Sequence, residues 1–427
     1  MIQFSKNRFL FVNLIFWGVV SLWGCTNAPI PPWTVAGIQP LWSTKLPGVG
    51  VANSGLIGLP IYNGNILFHS ANFSRLVNGS YEEDNRINAL DTITGKIEWM
   101  FPSSYSKENS MYFGAVPQVF NDYLVTKMPS YGIFQETDKV LCFNMSSQQE
   151  MWQKIMPKSV SLNASIDVVG NADLFYFIQE TKNETLIYEG NIMTGDTAMI
   201  CRVQPTVPYN KLEISSNPLF YKSKDGKPQL VFGTVEEIEN NSTSDFKTYC
   251  CVFDIQSRLI IYKTLIPRND DYLLGQFKMM DNRVYMTCGR TATCLDPIKG
   301  EILWQFFSEG YVNYATPRVS VSDGVVFLNG DNRFIGLDAL SGKKLYQGDT
   351  QCANGDSFNG YTYIIGRDEY LYIIDIHTGK VVQKITCPEK NPKSGGDGFH
   401  IGCKPQVYGN KLYVFSYTSA YCYKAIP

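Results

Sequence analysis

The sequence predicts an all-β protein: an eight-bladed β-propeller of four-stranded antiparallel blades, closed by the N-terminal strand joining the C-terminal blade. Three observations predict it. A turn motif recurs along the chain at intervals typical of propeller blades, the strands leading to each copy are apolar almost without a break, and the last blade lacks one strand that the N-terminus can supply.

The first element in chain order lies outside that ring. Lys6 and Arg8 precede an apolar run from Phe9 to Trp23, interrupted only by Asn13 and ending at Leu22-Trp23-Gly24-Cys25. The run is short for a membrane span and has the form of an export signal over residues 1–24. Its Leu-x-Gly-Cys ending resembles the lipobox of bacterial lipoproteins, although Trp23 is larger than that pattern usually holds. The resemblance implies diacylglyceryl attachment at Cys25, and Thr26 in place of an Asp implies sorting to the outer membrane. Residues 25–39, with Pro29, Pro31 and Pro32, read as a lipid-anchored, extended tether. Residues 40–427 form the predicted propeller.

The repeat is plainest in Ala89-Leu90-Asp91-Thr92-Ile93-Thr94-Gly95-Lys96-Ile97-Glu98-Trp99 and in Cys294-Leu295-Asp296-Pro297-Ile298-Lys299-Gly300-Glu301-Ile302-Leu303-Trp304. Anchors at Asp91, Asn144, Asn191, Asp254, Asp296, Asp338 and Asp375 stand 53, 47, 63, 42, 42 and 37 residues apart. An Asp or Asn carboxyl or amide oxygen can accept from backbone N–H groups two and three residues on, and Gly supplies a positive φ, so the motif closes a tight turn between two strands. The aromatic that follows is a wedge between neighbouring sheets. Strands such as 324–328 and 333–337 are apolar on both faces, as sheets covered on both sides require. Pro60, Pro117, Pro218, Pro317 and Pro405 each follow a small residue by two positions and mark the innermost strand. After the seventh anchor only 411–415 and 421–424 remain for a blade, and 40–46 supplies the strand it lacks, with Trp42 in the place of Trp304. Closure removes the exposed edges.

The motif Ala-x-Asp-x-x-Thr-Gly-x-x-x-Trp resembles the repeat of the pyrroloquinoline-quinone-like propeller superfamily over nearly all of residues 40 to 427. That superfamily holds quinoprotein dehydrogenases and cofactor-free scaffolds, among them propeller lipoproteins of the outer-membrane β-barrel assembly machinery, which this chain resembles in mature length, blade count and lipobox. The enzyme branch implies pyrroloquinoline quinone (PQQ) with calcium, a carboxylate base and often a disulfide between adjacent cysteines. Only Cys250-Cys251 invites that comparison, and it lies within a strand, where side chains alternate between faces. No calcium ligands can be matched. His69, His377 and His400 lack metal-ligand spacing, and no hydrolase or phosphate-loop motif occurs. No catalytic or metal-binding residue is therefore expected. Cys142, Cys294 and Cys422 occupy the position of Ala89 and read as small core residues; Cys387 with Cys403, or Cys288 with Cys294, could be bridged in an exported chain.

With 37 Lys+Arg against 39 Asp+Glu there is no basic surface for nucleic acid. The candidate binding sector is the set of long segments 70–86, 128–138 and 234–247, read as loops on one face and rich in acid: Glu82, Glu83, Asp84, Glu136, Asp138, Glu236, Glu237 and Glu239. Aromatic residues of the inter-blade links, Tyr112, Phe113, Tyr311, Tyr314 and Phe399 among them, are expected near the axis, as a stacking surface or a plug. Function is accordingly expected to be that of a lipid-anchored, non-catalytic interaction scaffold of the bacterial cell envelope, monomeric within a larger complex of envelope proteins, touching the membrane only through its lipid and serving outer-membrane protein assembly. The alternatives are a PQQ-dependent or other small-molecule oxidoreductase-like propeller and an envelope carbohydrate-binding module.

Overall fold

A computed structural model describes residues 38–46, 58–77, 80–101, 118–128, 137–157, 168–180, 185–206, 211–214, 218–240, 243–267, 277–308, 318–330, 333–350, 352–390 and 398–426. Every regular element among them is a strand, and the strands form eight antiparallel sheets. No helix of the described residues is long and apolar enough to cross a membrane. Blades 1 to 7 span residues 58–101, 118–157, 169–203, 211–265, 278–307, 318–348 and 352–385, each ordered from inside outward as the chain runs. Blade 8 takes its three inner strands from 406–424 and its outermost strand from Trp42–Lys45. Blade 4 departs from the four-strand rule, because Lys211–Ile214 pairs with the overhanging end of its second strand and adds a fifth.

The repeat has a local cause and a long-range use. Asp91 Oδ1 accepts from the backbone N–H of Ile93 at 3.1 Å and of Thr94 at 2.6 Å, and Gly95 turns the chain at φ 73°. The same pattern recurs at Asn144, Asn191, Asp338 and Asp375. These bonds hold the Asp91 and Asp338 carboxyls below the usual carboxylate range. Beyond each turn the outermost strand contains a register shift against the third strand, in all seven blades that own a turn; the Trp42–Lys45 pairing, which no turn connects, has none.

The long-range use joins one blade to the next. Trp42, Trp152 and Trp304 donate their indole N–H to Thr92, Ile192 and Ala339 carbonyls, one residue past an anchor in the following blade. Tyr262 and Tyr346 do the same through their hydroxyls, to Pro297 and Ile376. All five rings lie over the turn glycines Gly95, Gly195, Gly300, Gly342 and Gly379, where any added Cβ would fall 2.3–2.6 Å from ring atoms. Glycine at these positions is thus required twice, for its positive φ and for the ring above it. In the row of each Trp the cross-strand partner is small: Ala89 opposite Trp99, Cys142 opposite Trp152, Cys294 opposite Trp304 and Cys422 opposite Trp42. The cysteines predicted as core residues are core residues, each fully buried.

The core lies between blades. Leu67, Ile87 and Ala89 of blade 1 meet Leu124, Leu141 and Phe143 of blade 2, and the other interfaces repeat the arrangement. Ring closure uses the same chemistry: Ile66 and Leu90 of blade 1 pack with Tyr413, Phe415 and Cys422 of blade 8. Thr92 O also accepts from Lys411 Nζ at 2.9 Å and Tyr413 Oη at 3.2 Å. Pro218 and Pro405 stand immediately before an innermost strand and Pro60 inside one, at a break in its register, while Pro117 and Pro317 lie outside the described residues.

Candidate functional site

Two features break the regularity of the ring, and both involve predicted site residues. The first is the overhang of blades 1 and 4. Segments 70–86 and 234–247 are not loops. They continue the second and third strands as antiparallel ladders: Asn65–Val77 pairs with Ser80–Asp91, and Pro228–Asn240 with Thr243–Asp254, as far as Val77 with Ser80 and Asn240 with Thr243. Alternating β-forming residues, such as those of Thr243–Asp254, sustain pairing where the acidic composition suggested coil.

The acidic residues are therefore strand residues, and their neighbours in the ladder matter. Glu82, Glu83 and Asp84 stand opposite Arg75, Ser74 and Phe73. Glu236 stands opposite Lys247 and Glu237 opposite Lys211, while Glu239 faces Ser244 and Asp138 faces Met156. At three register positions an acidic residue is paired with a basic one, which the sequence alone could not reveal without the register. Glu236 corrects the expectation of an exposed docking acid. It is 1% exposed, ion-paired with Lys263 Nζ of the outermost strand, and accepts from the Thr206 N–H at 2.6 Å and hydroxyl at 2.8 Å. Burial alone would raise its carboxyl, but the Lys263 and Thr206 bonds outweigh that and hold it below the usual range.

The second feature is the axis. Following one row of a blade inward from the docking aromatic gives Trp304, Cys294, Tyr285, Lys278 in blade 5 and Trp42, Cys422, Tyr413, Gln406 in blade 8. The same row ends at Gln118, Leu219, Ser320 and Asp356 in blades 2, 4, 6 and 7. Lys404, two residues before Gln406, bonds Asp356 at 2.6 Å. Lys278 is held below the usual lysine range, chiefly by the charge of Lys404 and then by burial, with Asp356 opposing both. Residues of blades 5, 7 and 8 can interact so only across the space inside the ring. The Ser320, Ser357 and Thr362 hydroxyls next to them bond to one another at 2.8 and 2.9 Å.

Phe399, the one of the predicted link aromatics among the described residues, packs in the core between blades 7 and 8 instead of presenting a surface at the axis. It is fully buried with edge-on contacts to Tyr421 and Tyr423. The neighbouring His400 is buried too, its Nδ1 accepting from the Gly402 N–H at 2.9 Å, and burial pushes its pKa down to about 4. Cys25, Glu136, Tyr112, Phe113, Tyr311 and Tyr314 lie outside the described residues, as do residues 1–37. Cys250 and Cys251 face opposite sides of their sheet, one in the core shared with blade 5 and the other in that shared with blade 3. Cys387 and Cys403 likewise sit in separate cores, as do Cys288 and Cys294, and all six are free thiols. Bridging is therefore not the state of either predicted pair.

The quinone-and-calcium arrangement does not fit these residues. Two ammonium groups crowd the only carboxylate of the described axial row, a donor set that repels a divalent cation. No group of three or more His, Cys, Asp or Glu among the described residues could hold a metal ion.

Fold and repeat together define the class: an all-β, eight-bladed propeller of PQQ-like repeats. Within that class the chain is similar to the outer membrane protein assembly factor BamB, whose family matches residues 264–417. BamB from Moraxella catarrhalis superposes with a TM-score of 0.59 at 12% identity, covering 91% of this chain and 100% of that one. A europium-containing methanol dehydrogenase gives 0.64 at 11% identity over 90% of this chain and 86% of its own. Sqt1 of Saccharomyces cerevisiae gives 0.59 at 10% identity, covering 92% and 100%. An assembly factor, a dehydrogenase and a yeast protein share the architecture, so these likenesses carry the fold alone. No curated protein matches the chain in sequence.

Proposed function

We propose that this chain is a non-catalytic interaction scaffold of the bacterial cell envelope, lipid-anchored through Cys25 and serving outer-membrane protein assembly as one member of a complex of envelope proteins. The observation that carries the scaffold reading is the pair of overhanging hairpins. Blade walls are spent on packing against neighbours, whereas the two ladders continue beyond the blade bodies and offer backbone and mixed charge for a partner. The match of residues 264–417 to the BamB family supports the assembly role, and the export pattern of residues 1–25 supports the address. Among the described residues, the lysines of the axial row favour the scaffold reading over the dehydrogenase one.

The test removes the overhangs while leaving the blades intact. Joining Ser70 to Arg86 by Asn-Gly, and Glu237 to Phe246 by Asn-Gly, shortens each ladder at a cross-strand pair and keeps Glu236 with Lys263. Affinity capture of the full chain from solubilised membranes should recover envelope proteins, and the shortened variant should lose them while its melting temperature holds. Undiminished capture by the shortened variant overturns the hairpin assignment; capture of no envelope protein by the full chain overturns the scaffold.

A further inference from the structure

The turns between third and fourth strands all open on one face of the ring, because every blade runs the same way and each docking aromatic reaches the turn of the next blade. In each turn the residue after the anchor is buried and the one after that is exposed. The exposed position holds Ile93, Met193, Ile298 and Leu340 in blades 1, 3, 5 and 6, each 53–73% exposed. The turn does not demand them, since Ser146, Gln256 and His377 fill the same position in blades 2, 4 and 7. Just behind the tips, the residue before a docking aromatic is again an exposed apolar one: Leu41, Met151, Ile261, Leu303 and Leu345. Apolar side chains repeated at fixed places around a ring are unlike the single, scattered ones of an ordinary surface, and they mark a contact.

The chain also enters the ring on this face. The Leu41 N–H donates to the Cys422 carbonyl, Trp42 reaches the turn of blade 1, and Ile38 packs in the cluster that holds Ala425. The hairpins of blades 1 and 4, which join second to third strands, leave from the opposite face. A lipid on Cys25 would be no more than roughly 45 Å of extended chain from Ile38. We propose that the turn face rests on a phospholipid bilayer, with Ile93, Met193, Ile298 and Leu340 seated at the boundary of headgroups and acyl chains and the hairpins directed away. The inference goes beyond the scaffold reading, and it adds a contact to the lipid that alone was expected to touch the membrane. A fluid bilayer accommodates tips that stand apart on separate blades. Its interface takes apolar side chains to a depth of about 5–10 Å, and the row behind the tips begins within about 7 Å of the outermost strands' first residues. Lys96, Lys299, Lys343 and Lys380 stand exposed beside the tips, with stems long enough to lie along the interface and ammonium groups at the level of the phosphates.

The test uses residues 25–427 with Cys25→Ser, which include every described residue and carry no lipid, so the outcome is independent of lipidation. Flotation with vesicles of phosphatidylethanolamine and phosphatidylglycerol should carry the protein with the lipid, saturably below about 5 mM lipid. Ile93→Ser, Met193→Ser, Ile298→Ser and Leu340→Ser should each weaken partitioning by about tenfold and together abolish flotation. Gln256→Leu should strengthen it, a gain that a merely structural role would not give. Melting temperatures should match the parent's, since these side chains lie outside the cores, and the protein with shortened hairpins should float as the parent does. No flotation up to about 5 mM lipid, undiminished flotation of the four-serine protein, or loss of flotation on shortening the hairpins overturns the proposal. So does an oligomer in solution that the four substitutions dissociate, because a second copy would then be what covers the tips.

Discussion

At the residue scale, Glu236 and His400 show opposite responses of a buried titratable group. Glu236 stays charged because Lys263 and Thr206 satisfy it. Lys263 is partly exposed and can turn to water when its partner is removed, whereas Glu236 cannot. Lys263→Met should therefore cost about 3–5 kcal/mol of unfolding free energy, and Glu236→Gln clearly less. Denaturant unfolding of the two variants at pH 7 measures the asymmetry, and the Lys263→Met deficit should shrink as acid protonates the stranded carboxyl. His400 is held neutral by burial and uses Nδ1 as an acceptor. Its folded pKa of about 4 lies below the unfolded value, so the unfolded chain takes up a proton first as pH falls. Stability should fall between about pH 6.5 and 4 by up to about 3 kcal/mol on this account, and His400→Gln should flatten that part of the profile. Neither behaviour is legible in the sequence. Glu236 reads there as one of a run of surface acids, and only the register and the fold of Leu259–Leu265 bring Lys263 beneath it.

At the element scale, the turn motif explains why so much of the architecture was legible beforehand. The bonds of Asp91 span three residues, and the docking of Trp304 over Gly342 repeats a pattern carried within each copy. Local devices leave local signatures. Gly342→Ala and Gly324→Ala separate the two demands on glycine, since both have φ of 70–75° but only Gly342 has a ring above it. Gly324→Ala should cost about 1–2 kcal/mol from backbone strain alone. Gly342→Ala should cost clearly more, because Trp304 must leave its place, and should approach the 3–5 kcal/mol expected of Trp304→Ala. Chemical denaturation of the three variants decides the order. The overhanging hairpins carry the composition of loops for the complementary reason. Ladder pairing between residues such as Arg75 and Glu82 depends on cross-strand neighbours, which composition does not encode.

At the scale of the whole molecule, stability depends on a ring with no free edge. The Trp42–Lys45 strand covers Ser419–Lys424, and Leu41 and Leu46 add backbone bonds of 2.7 and 2.8 Å at its two ends. Removing residues 1–46 should expose that edge and the core beside Cys422, and light scattering should find larger species than the full chain gives. Trp42→Ala should weaken closure without removing it, lowering the melting temperature while leaving the light scattering as for the full chain. Ring closure was predictable because blade 8 visibly lacked a strand; the axis was not, since Lys278, Asp356 and Lys404 lie far apart along the chain and meet only once eight blades enclose a centre.

That clasp also imposes an order in time. The segment around Trp42 is made well before its partner, Ser419–Lys424, and at 5–20 residues per second the ribosome needs roughly 20 to 75 seconds to bridge the interval. Until then seven nascent sheets must wait with their terminal surfaces uncovered, and the ring closes only once Ser419–Lys424 has been made. Helpers that shield an unfinished polypeptide should matter more to this molecule than to one whose neighbours in space are neighbours in sequence.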